Sequence, residues 1–99
     1  MKKYWTYILA SQKNGTLYIG VTSNLARRIY EHKQHFVLGF SQKYKLDQFV
    51  YAEQHSTMMQ AINREKQLKH WNRDWKIKLI EEKNPAWYDL SDQILQGML

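Results

Sequence analysis

The chain has 99 residues, a length for one compact domain, with 43% hydrophobic and 14% aromatic residues, enough apolar surface to build a core and to argue against disorder. It has no cysteine, which excludes disulfides, thiolate metal sites and cysteine nucleophiles. Its formal net charge is +6, from 15 Lys+Arg against 9 Asp+Glu, a surplus that favours a polyanionic partner such as nucleic acid.

No apolar run approaches the ~18 residues of a membrane span, and Met1-Lys2-Lys3 leads straight into strand-like sequence without an apolar leader. A cytoplasmic protein with no membrane partner is therefore expected. Residues 4–10, Tyr-Trp-Thr-Tyr-Ile-Leu-Ala, and residues 16–22, Thr-Leu-Tyr-Ile-Gly-Val-Thr, are rich in β-formers. Asn14-Gly15 between them tolerates the positive φ angles of a two-residue type I′ turn and signals a hairpin. With that turn, paired positions sum to about 29, taken from the loop rule. One face of the hairpin then carries Ile8, Leu17, Ile19 and Val21 and reads as core. The other carries Trp5, Tyr7, Leu9, Tyr18 and Gly20, and two tyrosines beside a glycine read as a site with close backbone approach.

Ser23 or Asn24 can cap a helix running to about Lys33, with Leu25 and Ile29 as its apolar stripe. Residues 34–46 read as a loop or a short irregular helix. Gln48-Phe49-Val50-Tyr51-Ala52 reads as a third strand. Thr57 with Gln60 forms a capping box for a second helix over about 57–70. Asn72 caps a third helix that runs to Glu82 or Lys83 and is stopped by Asn84-Pro85. The tail from Ser91 reads as a short helix or a frayed end. The order β-β-α-β-α-α predicts an α+β fold: a small three-stranded antiparallel sheet packed with helices, in one domain whose core spans about 3–86 with a tail over 87–99.

Several positions stand out before any family is considered. Tyr7 and Tyr18 project from one hairpin face. Arg28 and His32, four apart, share a face of the first helix. Glu65 falls inside the apolar stripe Met58, Ala61, Ile62 and Leu68 of the second helix, where lost hydration costs a carboxylate on the order of 2–7 kcal/mol unless a cation or an arginine satisfies it. Each has an ordinary rival: strand tyrosines usually pack, Arg28 can be a surface residue, and Glu65 can pair with Lys69 one turn on. His32 with His35 forms an H-x-x-H spacing, but no spaced third ligand completes a zinc site. The basic stretch Arg64, Lys66, Lys69, Arg73, Lys76 and Lys78, interleaved with Trp71 and Trp75, suits a nucleic-acid surface. For the two tryptophans themselves a core position is expected.

Tyr18-Ile19-Gly20 is the second half of the motif that names the GIY-YIG nucleases, and Trp5-Thr6-Tyr7 stands where the first half would, keeping only its tyrosine. Arg28 and His32 fall at the family spacing, residues 61–69 resemble the helix bearing the family's glutamate, and Asn84 looks like its late asparagine. The chain resembles this family over about residues 3–86, above all its small stand-alone bacterial members. The loop histidine of some homing enzymes has no counterpart, since Phe40 and Ser41 occupy that region.

The resemblance implies a metal-dependent endonuclease acting on DNA, duplex or branched, in repair or recombination. One Mg²⁺ (or Mn²⁺) would be held by Glu65, and Arg28 would clamp the scissile phosphate. Tyr7 would be the general base with Tyr18 assisting, His32 would orient Tyr7 or relay its proton, and Asn84 would position the site. Arg27, Arg64, Lys66, Lys69, Arg73 and Lys76 are expected on the nucleic-acid surface. The competing expectation is a binding module that keeps the fold and cuts nothing. A separate targeting protein and any oligomeric state are left open, because the chain has no spare length for a DNA-reading domain.

Overall fold

The computed structural model describes residues 2–34 and 46–97. The hairpin forms from β1 (Tyr4–Ala10) and β2 (Leu17–Thr22), but in a register two residues away from expectation: Tyr7 faces Gly20 and Ala10 faces Leu17. The loop explains the shift. Ser11 N–H donates to the Thr16 carbonyl (3.1 Å) and Thr16 N–H to Ser11 Oγ (3.0 Å), leaving Gln12–Gly15 as a longer turn. Gly15 N–H closes that turn on the Gln12 carbonyl (2.9 Å). Asn14 takes the left-handed conformation (φ 60°) and Gly15 does not, so the paired positive φ angles of a type I′ turn are absent. Because the strand pleat repeats every two residues, a two-residue shift leaves each side chain on its expected face.

The third strand, β3 (Gln48–His55), is longer than the five residues expected and pairs antiparallel with β1, placing β1 at the centre of the order β2-β1-β3. A bulge interrupts it: Ile8 faces Tyr51 and Leu9 faces Phe49, leaving Val50 as the extra residue. Phe49 thereby joins the Tyr7–Leu9 face while Val50 and Tyr51 join the Ile8 face.

Helix α1 (Leu25–Lys33) starts at Asn24, whose side chain accepts from Arg27 N–H (3.0 Å). Helix α2 (Met58–His70) starts at Thr57, which accepts from Gln60 N–H (3.1 Å), while Gln60 reaches back to Ser56 N–H (3.1 Å). Helix α3 (Arg73–Lys83) is capped by Asn72 and ends at Asn84, as expected. A short helix α4 (Ser91–Leu95) follows. The expected irregular stretch lies mostly outside the described residues, as do His35, Phe40 and Ser41.

Both faces of the sheet are covered. On one side Ile8, Ala10 and Ile19 pack with Leu68 of α2 and Ile80 of α3. On the other, Tyr7, Leu9 and Phe49 pack with Leu25 and Ile29 of α1. Buried Thr6 ties β1 to α2 by donating to the Ala61 carbonyl (2.9 Å). Sequence beyond residue 86 contributes as well. Trp87 is buried in the first cluster with its indole N–H on Glu81 (2.7 Å), and Leu90 N–H extends the sheet edge onto the Phe49 carbonyl (2.7 Å).

Candidate active site

Tyr7 is the geometric centre of the site. Its ring packs on Phe49 (centroids 5.4 Å apart) and meets the His32 ring edge-on (6.4 Å), and only 2% of the residue is exposed. The phenol runs across β2 directly over Gly20: a β-carbon there would lie 2.4 Å from the Tyr7 hydroxyl. Gly20 is thus the opening through which a core tyrosine brings its hydroxyl to the edge strand.

The charges that act on this hydroxyl come from three elements. Burial raises the Tyr7 pKa most. Arg28 on α1 opposes it, and the Tyr18 phenol on β2, Glu31 on α1 and Glu65 on α2 raise it further. The net result lies well above the usual phenol value, so Tyr7 keeps its proton in the free protein. Tyr7, Tyr18, Arg28 and Glu65 therefore share one electrostatic neighbourhood. Glu31 belongs there too, and sequence reasoning missed it. Its spacing was a usable signal, since it stands one turn beyond Arg27 and Arg28 and pairs with both at 3.8 Å.

Arg28 is held in tension with its surroundings. Its Nε–H is buried and finds no acceptor at hydrogen-bond distance among the described residues, the Glu31 carboxylate standing 3.8 Å away. A buried donor left unmade costs about 1–3 kcal/mol, and an anionic oxygen is the natural acceptor for it. His32 is buried, and burial first, then Arg28, lower its pKa against the opposing pull of Glu31 and Asp47. Burial and Arg28 both favour the neutral imidazole. Glu65 lies on the inward stripe of α2 as anticipated, though partly open, and its carboxylate reaches Lys69 (3.6 Å). The rival reading of a helix ion pair is thus also realised, between a half-buried Glu65 and an exposed Lys69.

Residues 3–78 match the family model described as the GIY-YIG catalytic domain. The chain belongs to the GIY-YIG family. A UPF0213 protein of Staphylococcus saprophyticus is 33% identical over 82 residues, covering 83% of this chain and 99% of the relative. A UPF0213 protein of Staphylococcus haemolyticus is 32% identical over 83 residues, covering 84% of this chain and 100% of the relative. The solution NMR structure of the UPF0213 protein BH0048 from Bacillus halodurans shares the fold, with a TM-score of 0.56 at 24% identity over 90% of this chain and 94% of that one. GIY-YIG membership puts the chain in a nuclease family with an α+β fold. No helix among the described residues is long and apolar enough to cross a membrane.

In this GIY-YIG chain the two halves of the motif meet where Tyr7 crosses Gly20. The donor set constrains the metal. Among the described residues no three His, Asp or Glu side chains cluster as ligands, which does not suit zinc. The Glu65 carboxylate could hold one divalent cation whose other ligands are mostly water.

Asn84 is not brought to the tyrosines. Its buried amide donates to the Val50 and Tyr88 carbonyls (3.0 and 2.9 Å) and accepts from Tyr88 N–H (2.9 Å). It clasps the β3 bulge to the end of α3, so any effect on the site passes through the scaffold.

The basic residues divide. Lys69 and Lys76 join Leu17, Tyr18 and Ile19 around a cleft of about 350 Å³. Arg27 is solvent-exposed and lines a second cleft of about 360 Å³ with Arg28, Glu31 and Met58. Lys66 is exposed. Arg64 and Arg73 already hold acceptors within the fold. Arg64 is bound to Glu53 (2.8 Å) and Gln67 (2.7 Å), and Arg73 to the loop carbonyls of Asn14 (2.7 Å) and Gly15 (2.5 Å). Trp71 packs partly against the core as expected, but Trp75 is 57% exposed.

Proposed function

We propose that this protein is a divalent-metal-dependent endonuclease that hydrolyses DNA phosphodiester bonds, at work in repair or recombination. The observation that carries it is the Tyr7 hydroxyl crossing Gly20 within the electrostatic reach of Arg28, Tyr18 and Glu65, with a buried Arg28 Nε that has no acceptor among the described residues. DNA backbone lies along the Lys69–Lys76 cleft, where the lysines neutralise phosphates and Tyr18 faces the strand. Arg28 binds the scissile phosphate, giving its Nε the acceptor it lacks and opposing the charge that grows in the transition state. Tyr7 first loses its phenol proton to solvent, and the phenolate then accepts a proton from the attacking water as that oxygen bonds to phosphorus and the bond to the 3′-oxygen breaks. Burial opposes the ionisation and Arg28 favours it. His32, packed edge-on, holds the Tyr7 ring in line. Glu65 would hold a divalent ion, magnesium or manganese, which would supply charge neutralisation for the reaction.

The test is incubation of pure protein with labelled duplex, single-stranded and branched DNA in Mg²⁺, Mn²⁺ or EDTA, with Glu65→Gln and Arg28→Ala alongside. Metal-dependent cleavage lost in both variants is expected. The second reading, a binding module without catalysis, draws on the worn first motif and the raised Tyr7 pKa. Salt-sensitive binding with no cleavage under either metal would establish it.

A further inference from the structure

Outside the site, one large aromatic side chain is exposed yet fixed. Arg64 starts the arrangement. Its Nε donates to Glu53, whose carboxylate also accepts the Tyr51 hydroxyl (2.5 Å) and contacts His55 Nε2 (3.0 Å). So anchored, the guanidinium lies over the Trp71 ring, 5.2 Å from its centroid. Trp71 packs on the core, and the Trp75 ring meets it edge-on at 5.8 Å and 86°. Trp75 is therefore oriented from below while more than half of it faces solvent.

The groove beside it, about 230 Å³, is lined by Trp71, Trp75, Lys78, Leu79 and Glu82. That is smaller than the ~300–1,000 Å³ of a pocket enclosing a whole ligand, and it suits one flat ring of a longer molecule. The surroundings select an anionic chain. Lys76 of α3 lines the Tyr18 cleft together with Lys69, and Lys78 of the same helix lines the tryptophan's own groove, so one helix offers cations to both. Against them stand Glu82 in the groove and exposed Asp74 next to Trp75.

We infer that Trp75 is a stacking platform for an unpaired base of a DNA strand whose backbone passes the Lys69–Lys76 cleft. Bases inside a duplex have both faces covered, so the platform selects substrates with a single-stranded arm. The inference rests on the proposed nuclease reading and names its substrate class.

The test separates the two ideas by measuring binding in EDTA, where no cleavage occurs. Oligodeoxythymidine and a hairpin duplex are titrated against the full chain, Trp75→Ala and Trp75→Tyr, at two salt concentrations. The expected result is a loss of about 5- to 100-fold in single-strand affinity for Trp75→Ala, the range of one stacked base. Trp75→Tyr should retain most of the affinity, and duplex affinity should change less than about twofold. Quenching of tryptophan fluorescence by oligodeoxythymidine should shrink in both variants. Equal losses on both DNAs, no loss on either, or no DNA binding by the parent chain would overturn it. So would unchanged DNA binding with a shift in oligomeric state, which would make the tryptophans a protein contact. Cleavage assays on Glu65→Gln judge the nuclease reading independently.

Discussion

The Tyr7 hydroxyl lies where a side chain on Gly20 would begin, 2.4 Å from the position of its β-carbon. The two residues face each other across the β1–β2 ladder, so the strand pairing itself delivers the phenol to the edge of the sheet. Gly20→Ala should force the buried ring aside, with a stability cost of about 1–3 kcal/mol typical of overpacking and a fall in cleavage rate well beyond that cost. Denaturant unfolding and single-turnover cleavage check the two halves. Wild-type cleavage by Gly20→Ala would show that the phenol's position is unimportant.

Arg28 carries a buried donor that no described residue accepts. Replacement by methionine removes that penalty while keeping the length of the side chain. Arg28→Met should melt at or above the wild-type temperature, by up to about 4–8 °C per kcal/mol gained, while losing at least about a hundredfold in cleavage. A marked drop in melting temperature would mean that Arg28 serves the fold.

If Tyr7 must ionise, the rate should follow the fraction of phenolate. Burial raises its pKa above the usual phenol value, so the logarithm of the cleavage rate should climb with a slope of about one from pH 7 to 9, without a plateau. A pH–rate profile under single-turnover conditions measures this. A flat profile would assign Tyr7 as a hydrogen-bond donor that keeps its proton throughout.

Two groups set the acid side of stability. His32 has a folded pKa below its ordinary value, so the unfolded chain takes up a proton more readily. Its contribution is complete above about pH 6.5 and declines as pH falls through that value. Asp89 follows at lower pH. Burial would raise its pKa, but bonds from Lys33, Ser91 and Phe49 N–H outweigh burial and lower it, so its stabilisation is present above about pH 4 and lost on further acidification. Unfolding free energies measured from about pH 8 down to about pH 2 should fall in two stages, and His32→Phe should remove the upper one.

Asn84 makes three bonds that hold the β3 bulge to the end of α3. Asn84→Ala should cost about 2–3 kcal/mol by leaving buried backbone groups unpaired. Metal affinity of the remaining folded protein, read by calorimetry, should stay unchanged. A selective loss of metal binding would place Asn84 in the site.

The local sequence determined the elements and most of the candidate site. Cap residues Asn24, Thr57 and Asn72 begin their helices where the pattern indicates, because a cap depends on neighbours two or three residues away. The faces of the hairpin were legible for the same reason, since a period of two survives a two-residue error in register. Only tertiary structure decided what depends on distant partners. It buried Tyr7 under α1, drew Glu31 into its field, and committed Arg64 and Arg73 to acceptors on β3 and the hairpin loop. It also left Trp75 in solvent. Burial and ion pairing are set by which surfaces meet across the chain, and residue order alone does not specify that.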